Sequence, residues 1–170
     1  MIITIGGPPG SGTTTIARLL KEEFEYKHIN GGDVWDQIAK ERNTDVMGLN
    51  IIAENDPSID IELDNRLVEI AKTESNTIIE SRLIGYFCHQ KEIPAFKIWL
   101  TADLETRIKR LKKDARESEK VKEREESEKK RYKELYNIDI EDVSVYDLVV
   151  KTDDKLPDAI LDLIKKAINH

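Results

Sequence analysis

The chain has 170 residues, 36% of them charged, a net charge of −7 and a single cysteine, Cys88. That length suits one packed domain with small insertions rather than two independent cores. The acidic balance argues against binding of nucleic-acid polymers, one cysteine excludes an internal disulfide or a multi-cysteine metal site, and no apolar run reaches membrane-spanning length.

The first residues carry no charged segment followed by an apolar stretch, so a cytoplasmic location is expected. Ile2-Ile3-Thr4-Ile5 predicts a short buried strand. Gly7-Pro8-Pro9-Gly10-Ser11-Gly12-Thr13-Thr14-Thr15 follows and leads into an apolar-periodic run through Ile16, Leu20 and Phe24. Strand, glycine loop and helix in that order place backbone N–H groups and a positive helix end around one cavity, whose natural guest is a phosphate chain. The spacing matches the phosphate-binding P-loop, with Thr14 at the Mg²⁺-ligand position. One residue departs from it: Thr13 occupies the lysine position.

Lys27 to Asn30 predicts a second strand, after which Asp33 is placed to cap a helix through Val34, Trp35 and Ile38. A more polar stretch from Arg42 to Asp56 holds one apolar group, Val46 to Ile52. Asp56-Pro57 starts a helix with Ile59, Leu63, Leu67, Ile70 and Ala71 on one stripe. Thr77-Ile78-Ile79-Glu80 predicts a buried strand ending in an acid, and Ala95 to Leu100 another. From Asp103 a helix is expected to bury Leu104, Ile108 and Leu111. Lys112 to Lys133 is almost wholly charged and reads, by composition, as a solvated helical excursion. Tyr146 to Val150 is the last strand, and the final helix shows Ile160, Leu163, Ile164, Ala167 and Ile168 at helical spacing. Alternating strands and helices imply a parallel sheet covered on both faces.

A P-loop alone grips phosphate, so other strand ends must supply the chemistry. No Asn-Lys-x-Asp pattern occurs, which argues against a guanine-specific switch protein, and the sheet is too small for a motor domain. A small-molecule kinase needs metal-organising acids, a clamp for the acceptor phosphate and mobile cations. Asp33 and Glu80 are candidates for the first. Arg82 suits the second, as guanidinium geometry favours bidentate phosphate contacts. Arg107, Arg110, Arg116, Arg124 and Arg131 are candidates for the third. Cys88, His89 and His28 lack metal-ligand spacing. Trp35 and Trp99 read as packing residues, with a base stacked on Trp35 as the alternative.

These residues resemble the nucleoside monophosphate kinases, and more closely the archaeal-type cytidylate kinases. The resemblance runs nearly end to end. It rests on the P-loop, Gly32-Asp33, Asp56-Pro57-Ser58-Ile59-Asp60 with Asp64-Asn65-Arg66, Glu80-Ser81-Arg82-Leu83, Lys97-Ile98-Trp99-Leu100, the block Arg124 to Tyr132 with Tyr136-Asn137-Ile138-Asp139, and Tyr146 to Thr152. It implies a three-layer α/β P-loop nucleoside monophosphate kinase fold with a five-stranded parallel sheet. A single kinase domain would divide into a core (1–35, 66–111 and 136–170), a monophosphate-binding insert (36–65) and a helical lid (112–135).

The resemblance further implies ATP and Mg²⁺ as cofactors and transfer of the γ-phosphoryl group to CMP, with dCMP as a second acceptor. Arg82, Arg124, Arg131, Asp33 and Glu80 would act in catalysis, and Gly7 to Thr15 would hold the donor. Arg82, Asp60, Asp64 and Arg66 would bind the acceptor. A monomer is expected. Two readings remain beside this one: a kinase of the same fold acting on AMP or a non-nucleotide alcohol, and a nucleotide-binding module without catalysis. Thr13 leaves one fixed cation missing, and Asp36 stands where kinases of this group often carry a phosphate-clamping arginine.

Overall fold

The strands β1 (Ile2–Gly6), β2 (Lys27–Asn30), β3 (Thr77–Glu80), β4 (Phe96–Thr101) and β5 (Leu148–Lys151) form one five-stranded sheet in the order β2-β3-β1-β4-β5. All four pairings are parallel. The structure is a computed structural model that describes residues 1–114, 119 and 121–169, the Arg124 side chain excepted. Every residue of β1 is buried, as expected of a central strand covered on both faces. The chain leaves β1 for one side of the sheet and later crosses to the other, so the loop after β1 sits at a topological switch point.

The helices are α1 (Thr13–Phe24), α2 (Gly31–Glu41), α3 (Val46–Ala53), α4 (Ser58–Thr73), α5 (Ile84–Gln90), α6 (Leu104–Lys113), α7 (Val121–Tyr136) and α8 (Pro157–Ile168). Strand alternation sorts the core into two layers. Ile3, Ile5, Ile78, Ile98 and Leu100 meet Ile16 and Leu20 of α1 and Ile160 and Ile164 of α8. Ile2, Ile79 and Trp99 face the opposite layer, with Val34, Ile38, Ile59, Leu67, Ile84 and Phe87. Among the described residues no helix is long and apolar enough to cross a membrane.

The structure departs from the sequence reading at several points. Helix α2 begins at Gly31, and its cap is Asn30, whose side chain accepts from the Gly32 N–H at 2.7 Å. Asp33 therefore lies exposed inside the first turn instead of capping it. The apolar group within the polar stretch folds as α3, which buries Leu49 and exposes Met47 and Ile51. Helix α5 carries no helical periodicity because five of its seven residues are buried together. The buried face of α6 holds Arg107 beside Leu111, while Leu104 and Ile108 are half-exposed. On α8, Leu163 is exposed and Leu161 packs inward.

Candidate functional site

The Gly7–Gly12 loop is held in shape by a set of donors to its carbonyls. Ser11 N–H and Oγ both reach the Pro8 oxygen, the latter at 2.7 Å. Arg107 Nη1 donates to the Pro9 oxygen at 3.2 Å, and Arg110 Nη1 to the Gly10 oxygen at 3.2 Å. Thr152 Oγ1 lies 3.0 Å from the Ser11 oxygen. These bonds fix the loop's carbonyls and set the loop beside the N-terminus of α1, a position suited to phosphate binding. Gly10 has φ 83°, and a Cβ there would stand 2.7 Å from the Arg107 carbonyl oxygen. A side chain at Gly10 would both strain the backbone and push α6 away.

Arg107 is anchored further: Nε donates to the Ala102 oxygen at 3.1 Å, and the guanidinium forks onto the Glu125 carboxylate of α7. Only 6% of Arg107 is exposed. Arg110 also bonds Thr152 through Oγ1 and the carbonyl oxygen. These two arginines are thus fixed braces on α6, not members of a mobile cluster with Arg131. Arg116 and the Arg124 side chain lie outside the described residues.

Parallel register brings the acid of β3 to the loop. Ile5 and Asn30 both align with Glu80, which puts its side chain at the carboxyl edge where the loop begins. Oε1 of Glu80 accepts from Thr13 Oγ1 at 2.9 Å and Thr14 Oγ1 at 2.6 Å. Oε2 accepts from Asn30 Nδ2 at 2.7 Å and lies 3.1 Å from His28 Nε2. Burial opposes the charge on Glu80, but the hydrogen bonds from His28, Thr14 and Thr13 outweigh it and hold the carboxyl below its ordinary range. Asn30 and His28 escaped the sequence reading, although strand alternation places both on one face of β2, beside the acid.

Two cavities meet at this acid. The first, about 870 Å³, is lined by Gly7 to Thr15 with Arg18, Arg110, Lys113 and Lys155. The second, about 540 Å³, is lined by Trp35, Asp60, Asp64, Glu128, Arg131 and Tyr132, among others. Gly7, Thr13, Asn30, Glu80 and Arg82 line both. Arg82 therefore sits at the junction, where it pairs with Glu128 of α7.

In the second cavity Asp60 and Asp64 project from one face of α4, four residues apart. Burial pushes the Asp64 carboxyl up to about 6 against the opposing hydrogen bond from Tyr136, whose hydroxyl donates to Oδ2 at 2.6 Å. Burial raises Asp60 too, and the Arg131 guanidinium opposes both shifts. Trp35 closes another side, its Nε1–H bonded to Asn50 Oδ1 of α3 at 2.9 Å.

Two expected residues, Arg66 and Asp33, fall elsewhere, and so does the departing residue Asp36. Arg66 lies two positions past Asp64, on the far side of α4, where it pairs with Glu41 and Glu62 and faces an outer groove. Asp33 and Asp36 are exposed and line neither cavity.

The model of the cytidylate kinase-like family matches residues 2–154. The chain is 45% identical to a cytidylate kinase of Methanococcoides burtonii over 175 residues, covering 99% of this chain and 97% of that protein. It is 42% identical to a cytidylate kinase of Methanocaldococcus jannaschii, covering 100% and 98%. Among solved structures, shikimate kinase from Bacteroides thetaiotaomicron superposes with a TM-score of 0.67 at 13% identity, covering 100% of this chain and 99% of that one. Shikimate kinase from Acinetobacter baumannii, in complex with shikimate, gives 0.63 at 17% identity, covering 99% and 92%. At such identities these two likenesses speak for the fold alone.

Proposed function

The chain belongs to the cytidylate kinase-like family, and we propose that it transfers the γ-phosphoryl group of ATP to CMP, and to dCMP as a second acceptor, across the junction of its two cavities. One observation carries the reading: among the described residues a single arginine, Arg82, and a single acid, Glu80, line both cavities where they meet.

The larger cavity is the donor site. Loop amides and the start of α1 take the phosphate chain of ATP, with Lys113, Lys155 and Arg110 adding positive charge around it. Thr14 and Glu80 form an oxygen-rich pair with an ionised carboxylate, the donor type that suits a small hard cation. Mg²⁺ bound there would neutralise charge on the donor phosphates. Thr14 would be its direct ligand, and Glu80 would hold its water shell.

The smaller cavity is the acceptor site. Arg82 would clamp the CMP phosphate and aim one of its oxygens at the γ-phosphorus, so that the new P–O bond forms as the bond to ADP breaks. The carboxylates of Asp60 and Asp64 are acceptors suited to the exocyclic amino group of cytosine. Arg131 can donate to the carbonyl oxygen of the base, and Trp35 offers it a flat apolar face. A uracil ring, with a carbonyl in place of the amino group, would meet those carboxylates with a repelling oxygen. Helix α3 with its flanking helix ends would form the acceptor insert, and α7 the lid.

The test is turnover with ATP across CMP, dCMP, UMP, AMP and a non-nucleotide alcohol. The highest kcat/KM is expected for CMP, with dCMP next. AMP or the alcohol outpacing CMP would overturn the assignment, and absence of turnover with every acceptor would leave a binding module.

A further inference from the structure

Among the described residues, Arg82 has one hydrogen-bonding partner, the Glu128 carboxylate. The pair is partly shielded, with 19% and 26% of the two side chains exposed, and Glu128 itself lines the acceptor cavity. A carboxylate and a phosphate engage a guanidinium through the same forked donors. One of the donors that an incoming monophosphate needs, Arg82 Nη1, is therefore already engaged by the lid helix.

A neighbouring pair shows why this contact is exchangeable. Glu125 lies three residues earlier on the same face of α7 and holds Arg107. Arg107 is also bound to the Pro9 and Ala102 carbonyl oxygens, so its guanidinium stays put whatever Glu125 does. Arg82 has no such second anchor among the described residues.

Resting on the assignment of Arg82 to the acceptor phosphate, we propose that Glu128 is a positioning residue for Arg82, whose carboxylate stands in for that phosphate until the true one displaces it. A monophosphate brings close to two negative charges and three acceptor oxygens, against one charge on the carboxylate, so it wins the guanidinium. A nucleoside without phosphate cannot compete, and it leaves α7 tied to Arg82. Glu128 would thus make release of the lid contact conditional on a phosphorylated acceptor, at some expense in acceptor affinity.

The experiment is titration calorimetry of the full chain with CMP and with cytidine, for the parent, Glu128→Gln, Arg82→Ala and the double variant. Gln keeps the size and helical preference of Glu, so the fold is preserved, which a melting curve checks. Glu128→Gln is expected to bind CMP roughly three- to tenfold tighter, to leave cytidine binding unchanged, and to show no gain when Arg82 is also absent. Equal tightening of cytidine and CMP would overturn the proposal. So would unchanged or weaker CMP binding by Glu128→Gln while Arg82→Ala weakens CMP binding, and in that case Arg82 keeps its assigned role. If Arg82→Ala binds CMP like the parent, the assignment of Arg82 fails first and the proposal falls with it.

Discussion

The hydroxyl of Thr13 donates to Glu80 Oε1 at 2.9 Å, so the loop position that other P-loop enzymes give to a cation here serves an anion. Thr14 donates to the same oxygen, and the acid is locked to the loop from two consecutive residues. Thr14→Ala and Glu80→Gln should each lower kcat by roughly a hundredfold at modest Mg²⁺, with melting temperatures within a few degrees of the parent. Parent-like turnover by both variants would remove this pair from the reaction.

Since Thr13 supplies no charge, the transferring group needs a cation from elsewhere, and the proposed lid is the place to look. Arg131 lines the acceptor cavity, and Arg124 lies two helical turns before it. At least one of Arg124→Ala and Arg131→Ala should lose on the order of a hundredfold in kcat, with thermal stability nearly unchanged. Thr13→Lys should recover part of that loss. Steady-state kinetics of the three single variants and the combinations decide it. If both alanine variants turn over normally, the compensating charge does not come from α7.

Asp64 makes the stability of the fold depend on pH. Its folded-state pKa, about 6, lies above the ordinary value of 3.8, so the folded protein binds an extra proton between those values. Stability from this group therefore falls as pH rises through that window, and the cost is complete above about pH 6. Asp64→Asn can still accept from Tyr136 and carries no such cost. It should melt several degrees above the parent at pH 7.5, a gain of about 1–3 kcal/mol, with the difference vanishing near pH 4. Equal melting temperatures at pH 7.5 would mean that the Asp64 carboxyl titrates normally. The same variant should weaken discrimination of CMP over UMP, measured as a ratio of kcat/KM.

Arg107 is the brace whose loss should be most costly. Removing it would strand the Pro9 and Ala102 carbonyls and leave Glu125 without its cation. Arg107→Ala should destabilise by about 3 kcal/mol or more and raise the KM for ATP. Arg107→Lys should recover little, because an ammonium cannot span three differently placed acceptors. Full recovery by lysine would show that charge alone is what this position supplies.

The strand-loop-helix unit and the strand-end acid were legible because both are local patterns: apolar run, glycine spacing, and an acid closing a buried strand. The sheet's parallel character followed from alternation alone. What could not be read was which way a charged helical residue faces. Arg66 and Asp64 look equivalent along the chain, yet a turn of about 200° between them puts one in the cavity and the other in an outer groove. Arg107 looked like one more cation in a charged run because its partners, Pro9 and Ala102, are backbone atoms brought near only by the folded sheet. Asp33 appeared to be a cap because the asparagine before it also reads as a strand end. Helix α5 was invisible for the opposite reason: burial on nearly all sides erases the amphipathic period that reveals a helix.

The hydrogen bond between Trp35 and Asn50 has a spectroscopic consequence. The chain contains two tryptophans. Trp99 is 6% exposed and packed against Tyr86 and Tyr146, so its emission should be short in wavelength and indifferent to ligands. Trp35 stands half-buried in the wall of the acceptor cavity, its indole N–H tied to α3. A base settling against that ring, or a movement of α3 that breaks the bond, would change its quantum yield and emission maximum. Each molecule therefore contains a constant fluorophore and a responsive one, and a Trp35→Phe variant separates their signals. Occupancy of the acceptor cavity should be readable in unlabelled protein, without a coupled reaction.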